Sequence, residues 1–75
     1  MAGQNPERDP KHHVLVVLLE KIEQDPFPST SHLDIAEQLL TPETTPIYIG
    51  LLLDKIKGDP FPSSDHIKRV LSLSG

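Results

Sequence analysis

The chain has no cysteine and no tryptophan. Without thiols there can be no disulfide framework, no thiolate zinc site and no cysteine nucleophile. Aromatic residues are nearly missing as well: Phe27, Tyr48 and Phe61 are all there is. The longest apolar run, Val14 to Leu19, has six residues, far short of the roughly 20 needed to cross a bilayer as a helix. Basic charge is scarce. Seven Lys/Arg stand against eleven Asp/Glu, for a formal net charge of −4. Lys21, Lys55, Lys57, Lys68 and Arg69 are dispersed, so no basic face for nucleic-acid phosphates is expected. The four glycines, Gly3, Gly50, Gly58 and Gly75, are scattered and form no phosphate-cradling loop.

The first nine residues are polar and read as neither a secretory signal nor a transit peptide. Met1-Ala2 lacks the glycine required for myristoylation. The expected setting is the cytoplasm, with no membrane association.

What the chain does contain is a pentapeptide used twice, Asp25-Pro26-Phe27-Pro28-Ser29 and Asp59-Pro60-Phe61-Pro62-Ser63. Residues 17–40 set against 51–74 give eleven identities in twenty-four positions, too many for chance, so the chain carries an internal duplication. Its period of 34 residues is that of a tetratricopeptide unit, but the Trp, Leu-Gly and Tyr signature of that repeat is absent.

The repeat settles the secondary structure. Val14 to Leu19 is rich enough in β-branched residues to suit a buried strand. However, Leu15, Leu18, Leu19 and Ile22 fall at i, i+3, i+4 and i+7, and so do Ile49, Leu52, Leu53 and Ile56. That spacing draws a stripe on a helix. Asp9-Pro10 reads as N-cap plus first-turn proline and opens a helix over about 10–24. Proline turns the residue before it away from the helical region, so Asp25 and Asp59 end helices. Gly58 is a candidate left-handed cap for the second of these ends. Ser29 and Ser63 are N-caps for helices over about 30–40 and 64–73. Thr41-Pro42 and Thr45-Pro46 compete to open the third helix, and the later pair is favoured, with an end near Lys57.

The expected fold is therefore all-α: a pseudo-symmetric four-helix protein made of two repeated αα-hairpins. Residues 1–8 are expected to be a disordered tail. Residues 9–75 should form a single helical domain, with repeat one at about 9–40 and repeat two at about 43–75. Equivalent inner positions pair Leu33 with Ile67, Ala36 with Val70 and Leu39 with Leu73. The two phenylalanines are expected to plug the apolar groove at the hairpin ends. Val14, Val17, Tyr48 and Leu51 lie beside the main stripes, as surplus apolar surface.

Chemistry-bearing groups are few. His32 and His66 recur at the same offset, but neither has a partner ligand at helical spacing, and His12-His13 point to different sides of a helix. No metal site is expected. The loop from Asp25 to Ser29 is far too short for calcium. Ser29 with His32 lacks an acid and an oxyanion hole, and the serines are occupied as caps. No catalytic residue, cofactor or metal ligand is assigned.

The sequence thus points to a small non-enzymatic module for protein–protein interaction or oligomerisation, with a protein partner or a second copy as its target. The alternatives are an accessory transcriptional regulator, with Lys68-Arg69 as the only paired basic spot, and a metal-dependent helical module using His32 and His66.

Overall fold

A computed structural model describes residues 9–74. The tail expected at residues 1–8 lies outside the described residues. Four helices follow in order: α1 (Pro10–Gln24), α2 (Thr30–Leu39), α3 (Thr45–Gly58) and α4 (Ser64–Leu73). No strand occurs among the described residues. The described residues divide into two compact units, with the boundary between Leu40 and Thr41. Helix α1 packs on α2 in the first, and α3 on α4 in the second. The protein is all-α and built of two αα-hairpins, as its repeat implies.

Local chemistry sets the helix ends. Asp9 Oδ1 accepts the Lys11 N–H at 3.0 Å, with Pro10 in the first turn of α1. Ser29 Oγ accepts from Ser31 and His32 at the start of α2, and Ser63 Oγ accepts from the His66 N–H at 3.3 Å at the start of α4. Each satisfies an otherwise orphaned backbone donor.

Both long helices stop in the same way. Asp25 and Asp59 take extended backbone, with φ/ψ of −94°/116° and −107°/120°, where proline places the residue before it. Gly58 is the last residue of α3 and has no left-handed conformation. The expectation of a glycine cap there is corrected: α3 ends at the Asp-Pro step without one. Thr44 occupies the N-cap of α3 without a side-chain bond of its own to the helix. A threonine cluster holds the entry instead. The Thr41 N–H donates to Thr44 Oγ1 at 2.8 Å, and Thr45 Oγ1 donates to the Thr41 carbonyl at 2.8 Å. Pro42 therefore sits in a turn ahead of α3, and Pro46 lies in the helix's first turn, where a missing N–H costs nothing.

The burial pattern departs from the symmetry of the repeat. In the first unit Leu15 and Ile22 of α1 and Leu33 and Ala36 of α2 are buried. In the second the buried residues are Tyr48 and Leu52 of α3 and His66 of α4. By repeat position Tyr48 matches Val14, which is exposed, and His66 matches His32, also exposed. Leu33 is wholly buried, whereas its counterpart Ile67 is 37% exposed. On both helices of the second unit the buried stripe thus includes the position one residue earlier than in the first. One residue is about 100° around a helix, so the second unit's stripe is rolled relative to the first, although Leu18 and Leu52, Ile22 and Ile56, and Leu15 and Ile49 are buried or half-buried in both. Two expectations are corrected by this: Tyr48 is core rather than surplus, and Ile67 is not an inner residue.

Candidate functional site

The duplicated pentapeptide forms the tip of each hairpin. In the first copy the aspartate does two jobs. The Asp25 backbone N–H closes α1 by donating to the carbonyls of Lys21 and Ile22, at 3.0 and 3.3 Å. Its side chain then accepts the Phe27 N–H at 2.9 Å, and Asp59 accepts the Phe61 N–H at the same 2.9 Å. This is an Asx-type turn. The two prolines around each phenylalanine fix φ on both sides, and Ser29 or Ser63 opens the next helix. All five positions, Asp25 to Ser29 and Asp59 to Ser63, are therefore engaged in making a stiff corner.

The phenylalanines do not plug anything. Phe27 is 77% exposed and Phe61 88%. The expected aromatic plug is overturned, and the reason lies in the turn. The phenylalanine N–H is tied to the aspartate two residues back and its neighbours are prolines, so the backbone there is ordered as a corner, and the ring stands outside the helix pair. Pro28 is buried in its place in the first unit. Two of the three aromatic residues of the chain thus stand in solvent at matching tips.

An open apolar groove of about 610 Å³ lies at the first tip. Leu18, Ile22, Pro26 and Pro28 form its apolar lining, and Lys21 and Asp25 bring one charge of each sign to its rim. None of these was singled out as a binding surface by sequence reasoning. The signal was present in the Leu-x-x-Lys-Ile spacing just ahead of Asp-Pro, which stacks apolar residues directly behind the corner.

Other candidate groups are not assembled into sites. Among the described residues no group of three or more His, Asp or Glu side chains is placed to hold a metal ion. His32 is exposed and His66 buried, so the repeated histidines occupy unlike surroundings. Ser29 Oγ is taken up by the backbone donors of Ser31 and His32, at 3.1 and 3.5 Å. Arg69, half of the only paired basic spot, is held by Asp65 through Nε at 2.8 Å. No buried side-chain polar atom among the described residues lacks a hydrogen-bond partner. No helix among them is long and apolar enough to cross a membrane.

The fold and the tips define a small two-hairpin helical protein with an exposed phenylalanine at each tip. No protein family, no curated protein and no solved structure matches the chain.

Proposed function

We propose that this protein is a small non-enzymatic interaction or oligomerisation module of the cytoplasm, and that its Asp-Pro-Phe-Pro-Ser tips make the contacts. The observation that carries the reading is the exposure of Phe27 and Phe61 on two stiff corners of the same design. A large apolar ring in water gains free energy when a partner covers it. A corner already fixed by two prolines and an Asx bond loses little further entropy on binding. Aromatic side chains are also enriched in the buried centres of interfaces. Further apolar side chains stand partly in solvent on the helices, among them Val14, Val16 and Val17 on α1 and Ile47 and Leu53 on α3.

Site-specific photo-crosslinking in the native cell tests this. A photoreactive phenylalanine analogue at position 27 or 61 is expected to form an adduct with a protein, whether another copy or a different chain. The same analogue at exposed Glu20 on α1 serves as the control. Equal adducts from all three positions, or none from the tips, would sink the proposal.

A further inference from the structure

We draw no further inference here: the strongest candidate, the open apolar groove at the first hairpin tip between Leu18, Ile22, Pro26 and Pro28, with Phe27 exposed beside it, carries nothing because nothing in the structure shows what covers it.

Discussion

Replacing the tip phenylalanines by alanine should leave the fold almost unchanged, and the size of the effect follows from their exposure. A phenylalanine buries at most about 150–250 Å² when fully enclosed. Phe27 keeps 77% of its surface in water, so the covered part is roughly 50 Å². At about 25 cal/mol per Å², truncation costs on the order of 1 kcal/mol. For Phe61, 88% exposed, the corresponding figure is about half of that. Both are upper estimates, because the unfolded chain already hides part of its apolar surface. A core phenylalanine would instead lose about 3–5 kcal/mol. In a chain whose whole stability is of order 4–11 kcal/mol, that loss would remove a large part of it.

Urea unfolding followed by circular dichroism at low protein concentration separates the two cases. Each variant should shift the midpoint slightly at an unchanged slope, since the surface exposed on unfolding is nearly the same. In thermal melts a 1 kcal/mol change corresponds to about 4–8 °C for a domain of this size. A loss above about 2.5 kcal/mol in either variant, well beyond the surface-substitution range, would show that the ring is packed and would refute the reasoning.

Leu33→Ala and Ile67→Ala occupy the same repeat position but should differ in stability. The buried leucine should lose about 2–5 kcal/mol and the partly exposed isoleucine no more than about 1.5 kcal/mol, both read from urea midpoints. Ser29→Ala removes the cap of α2 and should cost about 1 kcal/mol, with Ser29→Gly costing only a few tenths. Gly50 is exposed within α3 and has nothing within 4 Å of where a Cβ would lie. Gly50→Ala should therefore stabilise by about 0.5–1 kcal/mol, seen as a higher melting temperature.

The parts of this protein that sequence reveals are those decided by neighbours along the chain. Asp9-Pro10, the Asp-Pro stops and the serine caps act over two to four residues, and the helix boundaries fall where those residues put them. Which face each helix hides is a different matter. α1 carries Val14 to Leu19 without interruption, and α3 carries apolar residues from Ile47 to Leu53 broken only by Gly50. An apolar run that wraps most of a helix leaves its roll undetermined by local pattern, and packing then chooses. It chose Leu15 in one unit and Tyr48, a position earlier in the repeat, in the other. The tips misled for a related reason. Scarce aromatics beside apolar helices suggest a core role, but the Asp25 and Asp59 hydrogen bonds shape a corner whose ring stands in solvent, and composition does not report that geometry.

Each hairpin closes through a five-residue tip, and within each unit its two helices, neighbours in sequence, pack on each other. Such local pairing belongs to the fast end of folding, microseconds to milliseconds. Synthesis at about 5–20 residues per second means that residues 41–75 need roughly 2–7 s to follow once Leu40 has been added. The first hairpin thus has ample time to settle before its near-copy exists. That order matters for a duplicated chain, in which α1 could otherwise be offered α4 in place of α2, the exchange of elements to which repeat proteins are prone. Vectorial synthesis resolves the ambiguity that the duplication creates, and refolding from denaturant, where both copies compete at once, does not have that safeguard.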